Sequence, residues 1–252
     1  MKHGLLSATL LLIALALLVA APAPAGAQQP GSLLIWPVNP VIEGDARAAA
    51  LWLENPGKTP VTLQVRIYAW AQQDGRNAYA EQNAVIGTPP IVSIEPGQRQ
   101  LVRLTRTTPP PAAAETPYRI VVDEVPTGNA PAAPGASVSF RMRYSLPLFS
   151  YSRHGNDKVK PPAPAPHISW RAGADAGERF LEIRNDGAGH ARLTDVSFAD
   201  GAKKSPVAQG LLGYVLPGAS MRWPLPHTVD TAGDLIATVN GKVGVAIERR
   251  QD

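Results

Sequence analysis

The residue types that usually carry catalysis are present in this chain, but they are too scattered to act together. The five histidines (His3, His154, His167, His190 and His227) form no H-x-H or HExxH pair, the spacing that aims two imidazoles at one metal ion. With no cysteine there is neither a thiolate ligand nor a disulfide framework. A Gly-x-Ser-x-Gly elbow and the glycine patterns of phosphate-binding loops are missing as well. Asp74, Asp186 and Asp200 stand beside turns, where a short carboxylate folds back on its own backbone, and nothing marks a glycosidase-type carboxylate pair. The residues therefore predict no metal, no cofactor and no enzyme. The five tryptophans (Trp36, Trp52, Trp70, Trp170 and Trp223) invite a carbohydrate platform. Trp52 lies in an apolar run and Trp70 ends an alternating one, so packing in a sandwich core or at its edge is the better expectation.

One segment has spacing that suits binding. From Ala136 to Tyr144 the chain alternates strictly, with Val138, Phe140 and Met142 on one face and Ser137, Ser139, Arg141 and Arg143 on the other. A loop rich in Gly, Pro and Ala (127–135) precedes it, and it is the last strand of its domain. Last strands often lie at a sheet edge, where an apolar row is an aggregation hazard unless a partner covers it.

The elements that position this strand follow from period-two patterning. Val61, Leu63, Val65 and Ile67 alternate with Thr62, Gln64, Arg66 and Tyr68, the signature of a half-buried antiparallel strand. Similar runs occur at 33–38, 46–54, 91–94, 101–105, 118–125 and 138–149. Turn signals such as Asn55-Pro56-Gly57, Asp74-Gly75 and Glu95-Pro96-Gly97 separate them. About seven strands in ~120 residues suit an immunoglobulin-like sandwich. A polar, Pro-rich stretch over 152–166 reads as a linker. Beyond it, short runs at 168–171, 180–184, 191–198, 220–224, 235–239 and 243–247 form a second β-unit, with Asn240-Gly241 as a tight hairpin turn. The expectation is an all-β chain: two tandem β-sandwich domains.

Composition agrees. Of 252 residues, 44% are hydrophobic and 17% charged, with 26 Pro and 22 Gly, enough for a packed core between many turns. The net charge of +4 is modest and no Lys/Arg run exceeds two residues, which argues against nucleic acid as partner. Lys2 and His3, an apolar run over 5–21 and the ending Ala25-Gly26-Ala27 read as a cleaved secretory signal. The expected division is 1–27 signal, 28–151 first domain, 152–166 linker and 167–252 second domain, exported, with no membrane span in the mature protein.

The chain resembles the periplasmic chaperones of the chaperone–usher pilus pathway. The resemblance rests on Thr88-Pro89-Pro90, Ile94-Glu95-Pro96-Gly97 followed by Leu101-Val102-Arg103-Leu104, Tyr118-Arg119-Ile120 running to Glu124-Val125-Pro126, and the strand ending Arg143-Tyr144-Ser145-Leu146-Pro147-Leu148-Phe149. In the second unit it rests on 181–187 and 213–218. It implies immunoglobulin-like domains set at an angle. Pilin-like subunits would be held by strand addition in the periplasm, then passed to an outer-membrane usher. It makes Val138, Phe140 and Met142 the side chains offered to the subunit's open groove. It also implies basic residues in the inter-domain cleft that grip the subunit's C-terminal carboxylate, for which Arg103 and Arg143 are the candidates, with Arg141 as substitute for Arg143. The first strand, Leu34 to Val38, carries no basic residue, which is similar to the archaic or alternative branch. The competing reading is a secreted two-domain adhesin or carbohydrate-binding module.

Overall fold

The computed structural model describes residues 33–126, 141–152 and 163–250. Among them every regular element is a strand. The signal over 1–27 lies outside the described residues, as do most of the linker and the loop before the last strand of the first domain.

The first domain contains β1 (Leu34–Trp36), β2 (Val41–Ile42), β3 (Ala48–Glu54), β4 (Val61–Gln73), β5 (Arg76–Ala80), β6 (Val85–Thr88), β7 (Ile91–Ile94), β8 (Arg99–Arg106), β9 (Glu115–Val125) and β10 (Arg143–Tyr151). Two sheets face each other. One has the order β1-β3-β8-β6; the other runs β2-β10-β9-β4-β5, with β7 also on β4. Alternation decides what each strand buries. Leu51 and Leu53, Val102 and Leu104, Leu63 and Val65, Ile120 and Val122, and Leu146 and Leu148 all turn into one core. Their neighbours in sequence point out of the sandwich.

The second domain holds β11 (Ile168–Asp175), β12 (Glu178–Asn185), β13 (Ala191–Asp200), β14 (Lys203–Val215), β15 (Ser220–Pro224), β16 (Asp234–Val239) and β17 (Lys242–Arg249). They form one path, β14-β13-β16-β17-β11-β12-β15, in which β11 and β17 pair in parallel through Ser169 and Trp170. The sheet folds over a core of Trp170, Leu181, Ile183, Leu193, Phe198 and Leu235. Asn240 and Gly241 both have positive φ (49° and 86°), as a two-residue hairpin turn of this kind requires.

Four strands exceed the sequence expectation: the two-residue β2, and β5, β6 and β14. β5 and β6 are short and polar or glycine-interrupted, and β14 contains Pro206, Gly210 and Gly213. β14 tolerates them because it is an edge strand with register shifts against β13. The tryptophans divide between the two kinds of packing that the sequence left open, core and edge. Trp52 points outward and stacks on Trp36, with ring centres 6.3 Å apart, and Trp70 packs at the domain junction with Phe149 and Leu216. Neither sits in a sandwich core; Trp170 does.

The domains are joined by polar ties. The Asp74-Gly75 turn between β4 and β5 lies against β15, with the Arg222 N–H donating to the Gly75 carbonyl at 3.1 Å. Gly75 has φ +72°, and a Cβ there would meet Arg222 Cγ at 2.9 Å, so two constraints select glycine. Glu115 on β9 accepts from the His190 backbone N–H at 3.0 Å, and its other oxygen lies 2.8 Å from His190 Nδ1. The His190 ring stacks on Phe149 at 3.7 Å.

Close to this joint, Glu182 gathers Arg171 (2.8 Å), Arg250 (2.7 Å) and Arg222 (2.5 Å). Burial alone would raise its pKa, but the three guanidinium groups hold it at about 2, against an ordinary value of 4.5. A depressed folded-state pKa stabilises fully above the ordinary value and is lost as protons return. Stability should therefore fall as pH drops from 4.5 towards about 2. In Glu182→Gln that portion of the acid transition should flatten, as read from urea midpoints across this range. An unchanged profile would place the acid sensitivity elsewhere.

Candidate functional site

The last strand of the first domain has one side occupied and the other largely open. β10 pairs with β9 along its whole length, from Arg143 opposite Asp123 to Tyr151 opposite Glu115. On its other side only Phe149 and Ser150 are paired, to Val41 and Ile42 of β2. Among the described residues, no strand pairs with Arg143–Leu148 on that side. On that side the N–H groups of Arg143 and Ser145 and the carbonyls of alternate residues are left free, with Pro147 offering no donor, an arrangement that can accept an added strand. The ladder to β9 also reaches one residue before β10, since the Glu124 N–H donates to the Met142 carbonyl at 3.2 Å.

Met142 is 41% exposed. Val138 and Phe140 lie outside the described residues. In sequence, these three share the parity of Tyr144, Leu146 and Leu148, which pack against or within the first core. The alternating row named from the sequence thus continues, further along, as part of the first domain's own core.

The outer face of the β10-β9-β4 sheet is basic. Asp123 pairs with Arg143 across β10 and with Arg66 of β4 at 2.5 Å. Burial raises the Asp123 pKa, but the hydrogen bonds from Arg143 and Arg66 outweigh it and hold the carboxyl below its ordinary value. Arg119 of β9 lies on the same face, opposite Pro147 of β10 and Tyr68 of β4. Its guanidinium stands 3.9 Å from the Trp70 ring centre and 5.9 Å from those of Tyr79 and Tyr214. Tyr214 comes from the second domain, so both domains wall this cation. Arg119 Nε is buried without a hydrogen-bond partner, and desolvation lowers the pKa of the group. Among the described residues it makes no ion pair. A cation held over aromatic faces and short of its natural partner is suited to receive a carboxylate.

Arg103 and Arg143 do not share a docking point. Arg103 is exposed on β8, between Ala50 of β3 and Thr88 of β6. Its neighbours Val102 and Leu104 are fully buried, so it projects from the outer face of the four-stranded sheet. Arg143 projects from the outer face of the opposite sheet, with the sandwich between them. Arg141 is exposed just before β10. The residue missed in the sequence is Arg119. Its outward position follows from its alternation with Tyr118 and Ile120, both buried in the structure, but the second domain packed over that face leaves no mark in the local sequence.

Residues 36–151 match the model of the pili and flagellar-assembly chaperone PapD N-terminal domain. A comparison with curated protein sequences gives no match. Among solved structures, the chain is similar to one from the CsuC–CsuE chaperone–tip adhesion subunit pre-assembly complex of the archaic chaperone–usher Csu pili of Acinetobacter baumannii. The identity is 28%, 87% of this chain and 100% of that one are covered, and the TM-score is 0.68. The fold also matches the complex of Salmonella enterica SafA pilin with the SafB chaperone (20% identity, 87% and 95% covered, TM-score 0.60). A third match is the Pseudomonas aeruginosa CupB2 chaperone (18% identity, 84% and 96% covered, TM-score 0.54). Residues 36–151 thus form a pilus-chaperone N-terminal domain of the PapD type, and the likeness to a structure from an archaic chaperone–usher pathway runs through both sandwiches.

Proposed function

We propose that the protein captures pilin-like subunits in the periplasm by lending them the open edge of β10, and then delivers them to an outer-membrane usher. The observation that carries this reading is the stretch Arg143–Leu148, unpaired on one side among the described residues, beside Arg119, which makes no ion pair among them. A subunit lacking its last strand pairs along this edge through backbone hydrogen bonds, while Val138, Phe140 and Met142 enter its groove. The subunit's terminal carboxylate docks on the basic outer face at Arg119, opposite Pro147 and four residues along β10 from Arg143, which is already paired to Asp123. Arg103, on the far face, is outside this anchor. In this reading residues 1–27 are removed on export, 28–151 bind the subunit, and 152–166 lead into the second domain, 167–252. The work done is binding, with no covalent chemistry.

Hydrogen exchange tests it. In the free protein, those amides of Arg143–Leu148 that face away from β9 should exchange rapidly. With a pilin-like subunit bound they should slow by about a hundredfold or more, as sheet pairing removes them from water. Protection appearing only at other edges, such as β5 or β14, would sink the assignment.

A further inference from the structure

The walls around Arg119 come from two domains, and one side chain ties them together. Gln72 lies on β4 two residues beyond Trp70, on the same face of the sheet. Its Nε2 donates to the Tyr214 carbonyl at 2.8 Å, and its Oε1 accepts from the Leu216 N–H at 2.8 Å. A carboxamide offers a donor and an acceptor side by side, as a peptide unit does. Gln72 thereby mimics a strand residue and grips the second domain's backbone on both sides of Val215. The same Nε2 lies 3.1 Å from Asn77 Oδ1, which also accepts from the Trp70 indole N–H at 2.9 Å. The tie thus reaches both Tyr214 and Trp70. These rings pack edge to face, with centres 5.6 Å apart.

We propose that Gln72 is a positioning residue for carboxylate capture, fixing Trp70 and Tyr214 as the two walls that hold Arg119 ready. The inference rests on the reading of Arg119 as the anchor. An arginine side chain left loose would have to be ordered and desolvated when the subunit arrives; one already held between rings has met that cost on folding. The anchor is then complete only while the two domains are locked, and the second domain takes part in binding through Tyr214 and its backbone.

The test uses the full mature chaperone and a synthetic strand-forming peptide of alternating valine and serine, made as the free acid and as the C-terminal amide. The quantity read is the ratio of the two affinities. Gln72→Glu keeps the size and the acceptor for Leu216 but places an acceptor against the Tyr214 carbonyl. Gln72→Met, which keeps the length and removes both bonds, serves if the glutamate variant does not fold. Either should cut the free-acid preference by about tenfold, while affinity for the amide stays within about twofold. On an Arg119→Ala background, Gln72→Glu should change neither affinity, because the group it positions is gone. Equal losses for acid and amide would make Gln72 a domain fastener only and overturn the proposal, as would an unchanged preference. A wild-type protein with no preference for the acid would overturn the anchor reading itself, and the role of Gln72 with it.

Discussion

Replacing Arg119 with alanine should weaken subunit capture by about 30-fold or more. The loss of one partner from a desolvated, hydrogen-bonded charge pair costs on the order of 2–5 kcal/mol, and each ~1.4 kcal/mol is a factor of ten. Arg119 has the required environment: Trp70 at 3.9 Å, Tyr79 and Tyr214 beyond, and a buried Nε with no partner. The variant should bind a C-terminally amidated subunit peptide as the wild type does, because the amide never engaged the guanidinium. Arg103→Ala is the matched control. It removes an exposed arginine from the outer face of the other sheet and should leave capture within about twofold, the range of a peripheral charge. Should Arg103→Ala lose as much as Arg119→Ala in titrations with purified subunit, the carboxylate is held elsewhere.

The second large effect is expected at the donor row. Phe140→Asp should abolish detectable co-purification of subunits from the periplasm while the chaperone itself stays folded. Burial of a phenylalanine side chain contributes about 1.5–3 kcal/mol, and an unpaired carboxylate in an apolar groove costs several more. Together these exceed a hundredfold in affinity. Thermal unfolding of the purified variant is the decisive companion measurement. A melting temperature within a few degrees of wild type assigns the side chain to the partner. A fall of about 10 °C or more, the size of a core defect in a domain of this length, assigns it to the chaperone's own core and removes it from the donor row.

How much of this was legible in the residues depended on whether a feature is local. Val61 to Ile67 announced a strand through simple alternation, and Asn240-Gly241 announced its hairpin, because both are decided by near neighbours. β14 stayed hidden because Pro206, Gly210 and Gly213 are punctuation in any sequence reading. Only its place at a sheet edge, paired by β13 alone, makes them harmless. The proposed anchor shows the same limit more sharply. Alternation places Arg103, Arg119 and Arg143 all outside the core, and it does so correctly. Which outer face belongs to which sheet, and which face meets Tyr214 of the second domain, is a matter of topology. Arg103 and Arg143 looked equivalent in sequence and lie on opposite sides of a sandwich.

The two-residue pairing of β2 with β10 sets a physical limit on what the free edge can accept. Val41 and Ile42 occupy the positions beside Phe149 and Ser150, so a visiting strand that zips along the edge towards them runs into a stop. The described open stretch from Arg143 to Leu148 corresponds to roughly 20 Å of extended chain at about 3.3 Å per residue. β2 therefore acts as the zero mark of a ruler. It gives the open ladder, already interrupted at Pro147 where no N–H is available, a defined end close to the arginine opposite that proline.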